Sequence, residues 1–423
     1  WSSDVCSSDL DHMKKRYVFG ALLLSLTLLL TGCAGGAAKL STGTQDLMKG
    51  VPVKSPAKME PDEAFIDAMR QFSVRLLQQT AGSGNTMVSP ASVMAAMAMV
   101  STGARGETAA QMAQAFGMEL DALHPALSAW LDGLTGGKKT KLNVANSIWF
   151  RKDGAEIAPN FLQKNAETYH ASLYAAEFDD ATVADVNRWV KHETMGLIPQ
   201  MVDRLPDETT MLLINALAFD GKWTEPFEKN STLEVPFTQA DGTSKNIPMM
   251  HGRTEGYFKT ADAVGFRKAY TDGYSLIAIL PNQSVTLADY LASWTPERLT
   301  EFLNSEAAYT VDIGLPKFKS AYSSTLNDAL RAMGIRDAFT ESADFSGISR
   351  TPLAIDQVLH KTKIEVDESG TKAAAATMVG VKCTSIPMDS ETVILNRPFL
   401  YMIVQDETNL PVFLGTMNAV PEE

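Results

Sequence analysis

The chain has 423 residues and a formal net charge of −13. So acidic a balance excludes nucleic acid as a partner, because a phosphate backbone is met by clustered Lys and Arg. Of the cysteines Cys6, Cys33 and Cys383, only the last falls in the main body, so no internal disulfide is expected there.

Residues 1–12 carry no hydrophobic period and precede Met13, so they are set aside as non-native or upstream sequence. From Met13 a basic start, Lys14-Lys15-Arg16, runs into an apolar stretch over 17–30 and then Leu30-Thr31-Gly32-Cys33. The stretch is shorter than the ~20 apolar residues of a membrane span, so 13–33 reads as a secretory signal. Its ending resembles a bacterial lipobox, in which Cys33 becomes the lipidated first residue; an ordinary signal peptide with a chance cysteine is the alternative. Acyl chains hold a protein at a membrane, here the outer membrane or cell surface of an envelope, without crossing it. Gly, Ala, Ser, Thr, Lys and Pro dominate 34–59, with Pro52 and Pro56 against any helix, which predicts a flexible tether. Residues 1–33 hold three acids (Asp4, Asp9, Asp11) and three bases, so the whole net charge belongs to residues 34–423.

The remaining stretch is longer than one core usually holds, yet it shows neither linker nor repeat, so 60–423 is expected as a single domain. Helical periodicity is plain over 63–79, with Phe65, Met69, Phe72, Leu76 and Leu77 on one side, and again over 92–100. A strand is predicted over 141–150, a helix over 184–196 bounded by Pro199, and a strand buried on both faces over 211–219. Further strands come at 256–259, 275–280, 309–315 and 357–366. Residues 397–403 and 410–415 then form a hairpin about Asp406-Glu407-Thr408-Asn409. Helices early and strands late argue for an α+β fold.

Catalytic constellations are weak throughout. His192-Glu193 lacks the second His that zinc hydrolysis needs four residues along a helix. Ser55 and Lys58 have Ser-x-x-Lys spacing, but they sit in the expected tether and no Lys-Thr-Gly comes after them. With no Gly-x-Ser-x-Gly elbow, phosphate loop or cysteine cluster, the chain is not expected to be an enzyme, and neither cofactor nor metal is implied.

The most informative stretch is Glu368-Ser369-Gly370-Thr371-Lys372-Ala373-Ala374-Ala375-Ala376-Thr377. At period two, Thr371, Ala373, Ala375 and Thr377 share one face, all small, while Lys372 alternates outward. Alanine is a poor strand former, so the run suits a segment that is helix or coil at one time and slips into a crowded sheet at another. A short surface helix or an Ala-rich linker is the plainer reading.

With Asn396-Arg397-Pro398-Phe399 downstream, this segment resembles the hinge, reactive loop and C-terminal signature of the serpin family. Dispersed motifs extend the resemblance, in order, over roughly residues 60–421. They are Asn85-Thr86-Met87-Val88-Ser89-Pro90-Ala91-Ser92-Val93, Gly103-Ala104-Arg105-Gly106-Glu107-Thr108 and Leu142-Asn143-Val144-Ala145-Asn146-Ser147-Ile148-Trp149. Asn187-Arg188-Trp189-Val190 with Thr194-Met195-Gly196-Leu197-Ile198, and the run from Leu213 to Trp223, complete them.

The resemblance implies the serpin fold: three β-sheets, eight or nine helices and an exposed reactive-centre loop, here about 369–390. It implies a monomer that inhibits a serine, or secondarily a cysteine, protease as a suicide substrate, its cut loop inserting into the main sheet. The hinge would be Glu368, Gly370, Thr371, Ala373, Ala374, Ala375, Ala376 and Thr377. The reactive bond would be Thr384–Ser385, suiting an elastase-like or subtilisin-like target; a second register, Lys382–Cys383, would suit a trypsin-like one. Ser89, Ser92, Asn215 and His360 match the family's shutter beneath the sheet, and Trp223 its breach at the top. Cys383 is either a small apolar loop residue or a redox handle. A non-inhibitory serpin, serving as a surface binding or adhesion protein, is the alternative function.

Overall fold

The computed structural model describes residues 38–53, 60–134, 137, 139–153, 156–371 and 391–421. Helix α1 (Glu63–Thr80) begins where the Asp62 side chain accepts the Phe65 N–H, and it buries Phe65, Met69, Phe72, Leu76 and Leu77. Helix α2 (Pro90–Ser101) is capped by Ser89, carries Pro90 in its first turn and is buried along its whole length. Helices α3 (Gly106–Phe116), α4 (Leu120–Leu134) and α5 (Pro159–Tyr169) pack against it. Helix α6 (Asp180–Glu193) starts four residues before the predicted 184, because Asp179 caps it by accepting the Thr182 N–H. Leu287–Ala292, Pro296–Asn304 and Asn327–Ala332 bring the described residues to nine α-helices.

The first strands are β1 (Gln45–Asp46), β2 (Thr86–Val88), β3 (Lys141–Arg151), β4 (Ser172–Ala176), β5 (Met211–Lys222) and β6 (Thr232–Thr238). Next come β7 (Ser244–Lys259), β8 (Ala263–Ala269), β9 (Tyr274–Pro281), β10 (Ala307–Pro316) and β11 (Phe318–Thr325). The last are β12 (Gln357–Asp367), β13 (Gly370–Thr371), β14 (Glu391–Ile394), β15 (Phe399–Gln405) and β16 (Leu410–Met417). Seven of them form one sheet in the order β1-β4-β3-β5-β13-β12-β11. The other nine run β14-β10-β7-β8-β9-β15-β16-β2, with β6 on β7. The second and third of the expected sheets are joined here, because β7 pairs with β6 in its first half, with β10 from Met249 to Tyr257 and with β8 at its end.

Strand β5 is buried from Met211 to Phe219, and its alternation decides which core each side chain joins. Leu213, Leu217 and Phe219 enter the main core. Leu212, Ile214, Ala216 and Ala218 face the other way, against Val186, Trp189 and Val190 of α6. Helix α6 therefore covers the sheet on the side away from the main core.

The tether expected over 34–59 is corrected at its described part. Residues 40–48 are docked on the body. Gln45 and Asp46 pair antiparallel with Ala175 and Tyr174 of β4, and the Leu47 N–H donates to the Leu173 carbonyl. The Asp185 carboxylate on α6 accepts the Ser41 N–H (2.9 and 3.0 Å), the Ser41 hydroxyl (2.6 Å) and the Thr44 hydroxyl (2.7 Å). Arg188 pairs with the same carboxylate and donates to the Lys39 carbonyl at 3.0 Å. Burial alone would raise the Asp185 pKa, but the donors from Ser41, Thr44 and Arg188 outweigh it and hold the carboxyl below its usual range. A composition-based reading misses this strap, since two strand residues and a few hydroxyl and amide bonds to a distant carboxylate leave no period.

Asp185→Ala removes the acceptor for all of these donors, which should cost about 1–3 kcal/mol. It should also open 38–53 to limited proteolysis. Unchanged unfolding and cleavage rates in that variant would mean that the strap contributes no stability.

Candidate functional site

The seven-stranded sheet has one discontinuity. At its top the two residues of β13 are wedged between β5 and β12 and run antiparallel to both. Gly370 registers with Lys222 and Asp367, and Thr371 with Gly221 and Val366. Below the wedge β5 and β12 meet directly and in parallel, through seven registered pairs from Gln357–Leu212 to Lys363–Ala218. The chain at Thr371 thus points down a seam whose two sides are hydrogen-bonded to each other.

Local sequence explains how the wedge is set. Asp367 turns the chain out of β12 by accepting the Ser369 and Gly370 N–H groups at 2.7 and 3.1 Å. Gly370 tolerates no side chain, as an added Cβ would lie 2.1 Å from the Gly221 carbonyl oxygen. Thr371 is fully buried, its hydroxyl 2.5 Å from that of Tyr270.

Trp223 roofs the wedge. Its ring stacks on Tyr270 at 4.1 Å with an interplanar angle of 12°, and its indole N–H donates to the Asp367 carbonyl at 2.9 Å. Its backbone N–H bonds the Ser369 carbonyl, and that of Phe227 bonds the Glu368 carbonyl. The Glu368 carboxylate takes Lys317 Nζ and the Thr232 hydroxyl, each at 2.9 Å. Burial opposes its charge, yet these two donors hold its pKa below the ordinary value.

Midway down the seam lies a closed polar cluster. His360 and Asn215 are registered partners on β12 and β5, both fully buried. Ser89 N–H donates to His360 Nε2 at 3.3 Å, so the ring proton sits on Nδ1 and is donated to Asn215 Oδ1. The Asn215 amide then donates to Ser92 Oγ and, at 2.6 Å, to Asn146 Oδ1. Ser89 Oγ in turn accepts the Ser92 N–H at 3.1 Å. Burial drives the His360 pKa down to about 3, which keeps the ring neutral and both nitrogens in use.

Of the residues nominated from the sequence, the structure brings Ser89, Ser92, Asn215 and His360 together at mid-seam. It places Glu368, Gly370, Thr371 and Trp223 at the top. Ala373, Ala374, Ala375, Ala376, Thr377, Lys382, Cys383, Thr384, Ser385 and Cys33 lie outside the described residues. Sequence reasoning missed Asn146, Tyr270, Lys317 and Thr232. Only Asn146 carried a signal: an amide within a strand, where Asn is disfavoured, marks a bond that repays its burial.

A family profile described as "Serpin (serine protease inhibitor)" matches residues 67–420. Human leukocyte elastase inhibitor is 32% identical over 384 residues, covering 84% of this chain and all of that protein. Among solved structures, the thermophilic serpin tengpin in its native state aligns with a TM-score of 0.86 at 37% identity, over 89% of this chain and all of the other. The same protein in its latent state aligns at 0.76, with 36% identity and 86% and 100% coverage.

The neutral buried imidazole has a pH signature. Its folded pKa, about 3, lies below the unfolded value near 6.5. Its contribution to stability is therefore complete above about pH 6.5 and is lost as pH falls toward 3. In urea unfolding between pH 6 and 4, wild type should lose up to ~1.4 kcal/mol per pH unit more than His360→Asn. Parallel stability profiles for the two proteins would refute the assignment.

Proposed function

The chain belongs to the serpin family, described as serine protease inhibitors and not as enzymes, and on that premise we propose that it traps a serine protease by sacrificing its own loop. The observation that carries the proposal is the wedge. Gly370 and Thr371 already occupy the first two positions of a strand antiparallel to both neighbours, at the mouth of a seam between parallel strands.

The protease serine attacks the reactive carbonyl, the peptide bond breaks, and the loop is left as an acyl group on the enzyme. Loop insertion into the main sheet is the serpin family's established response, a case of strand addition. Here it would replace one parallel pairing by two antiparallel ones, the stronger ladder on each side. About fifteen residues gaining ladder bonds at ~0.5–1.5 kcal/mol each amount to order 10 kcal/mol. That is enough to drag the enzyme and displace its oxyanion donors, so that water cannot release the acyl group.

Cleavage at Thr384–Ser385 gives an elastase-like or subtilisin-like target, and the 32% identity to leukocyte elastase inhibitor supports that class. Cleavage after Lys382 gives a trypsin-like target; cysteine proteases are a secondary class. The basic start, apolar run and Leu30-Thr31-Gly32-Cys33 support export and lipid anchoring at Cys33, with the inhibitor acting as a monomer at a bacterial envelope.

Incubated separately with pancreatic elastase, subtilisin and trypsin, the protein should give a detergent-resistant adduct and a released peptide beginning at Ser385. Ala375→Arg should still be cut but should lose the adduct at least tenfold, since the charge would have to enter the core with the strand. Clean cleavage by a fully active protease, with no gain in thermal stability, would make the protein a substrate and a non-inhibitory serpin. Cys33→Ala should move it from the membrane to the soluble fraction; unchanged fractionation would remove the anchor.

A further inference from the structure

Beside the wedge, and unused by the loop chemistry, is a buried lysine. Lys268 on β8 is 4% exposed, and its Nζ lies 4.4 Å from the Phe227 ring centroid and 5.6 Å from that of Trp223. Its neighbour in sequence is satisfied: Arg267 is held by Glu306 and Asp406. Lys268 differs. Among the described residues its ammonium has no hydrogen-bond acceptor and no carboxylate within ion-pair distance.

Aromatic faces alone do not satisfy three N–H donors, so the rest of the ammonium's bonding falls to whatever fills the pocket beside it. Burial pulls the amine down to about 8 although Glu225 pushes the other way, so at neutral pH it still carries its charge. The lysine lines a pocket of about 300 Å³ together with Thr224, Glu225, Arg253, Thr254 and Glu255. The pocket is too small for a folded segment and ample for a small metabolite.

Charge narrows the class. Arg253 is engaged by Asp312 at 2.8 Å, and the Thr254 hydroxyl donates to the Arg267 carbonyl, so the pocket's open cation is Lys268. Glu225 and Glu255, both exposed, share the lining, and Glu225 is near enough to act on the Lys268 charge. A plain anion would meet their repulsion and a plain cation that of Lys268. A molecule with both signs satisfies each wall.

We propose that this pocket binds a small zwitterion of the amino-acid class, its carboxylate on the Lys268 ammonium and its own ammonium between Glu225 and Glu255. The site stands on Trp223 and Phe227, whose backbone N–H groups hold the hinge carbonyls, but its existence does not depend on inhibition.

The test is calorimetry on the full chain with L-alanine, and with acetate and ethylammonium as half-molecules at matched ionic strength. L-alanine should bind in the millimolar range or tighter and raise the melting temperature, and each half-molecule should bind at least tenfold more weakly. Lys268→Met, which keeps the apolar stem, should lose L-alanine binding at least tenfold. Glu225→Gln, at an exposed position, should weaken it severalfold and keeps the test decisive if the lysine variant folds poorly. Absence of L-alanine binding, equal affinity for acetate, or full binding by a folded Lys268→Met would each overturn the proposal.

Discussion

The direct parallel contact between β5 and β12 is the constraint on which the rest of the molecule is arranged. Two strands that run the same way, with an antiparallel wedge already started between them, are a sheet closed over a missing member. The His360–Asn215 bond closes that seam at its middle, and its closure depends on a ring that stays neutral. Because the polar cluster satisfies its donors from α2 as well as from both strands, parting the strands means rearranging the floor beneath them. The seam is thus held by its backbone ladder and, at mid-length, by a buried polar cluster in which a lost partner costs most.

The top of the seam is held differently. There Trp223 grips the backbone at Asp367 and Ser369, while Glu368 is tied by Lys317 from the β10–β11 junction and by Thr232 at the start of β6. Both sheets therefore meet at one acidic side chain. A charge-assisted bond of that kind is directional and resists sliding, whereas the stacked rings beneath it resist separation.

Much of this is legible in the chain itself. Helix α1 shows itself through its apolar spacing, and β5 through an apolar run, interrupted only at Asn215, of the kind a strand covered on both faces buries. The seam is legible only through family resemblance, because an amide inside a predicted strand marks Asn215 as bonded without saying to what, and nothing local distinguishes His360 from any satisfied core histidine. Three kinds of residue escape. Asn146 joins the polar cluster from β3, across a register that sequence spacing does not encode. The strap carries its information in hydroxyls 41 and 44 aimed at a carboxylate 141 or more residues away, a pairing invisible without the fold. Lys268 reads as an ordinary surface lysine, since only the fold brings the rings of Trp223 and Phe227 to its ammonium.

The strap has a bearing on self-association. A sheet ending in β4 would offer a row of free N–H and C=O groups to any passing strand, a template for unwanted pairing. Gln45 and Asp46 occupy that border with a pairing two residues long, too short to template a neighbour, and Asp46 puts a carboxylate at the rim. The strap thus covers the β4 border of the main sheet with a row too short to extend it.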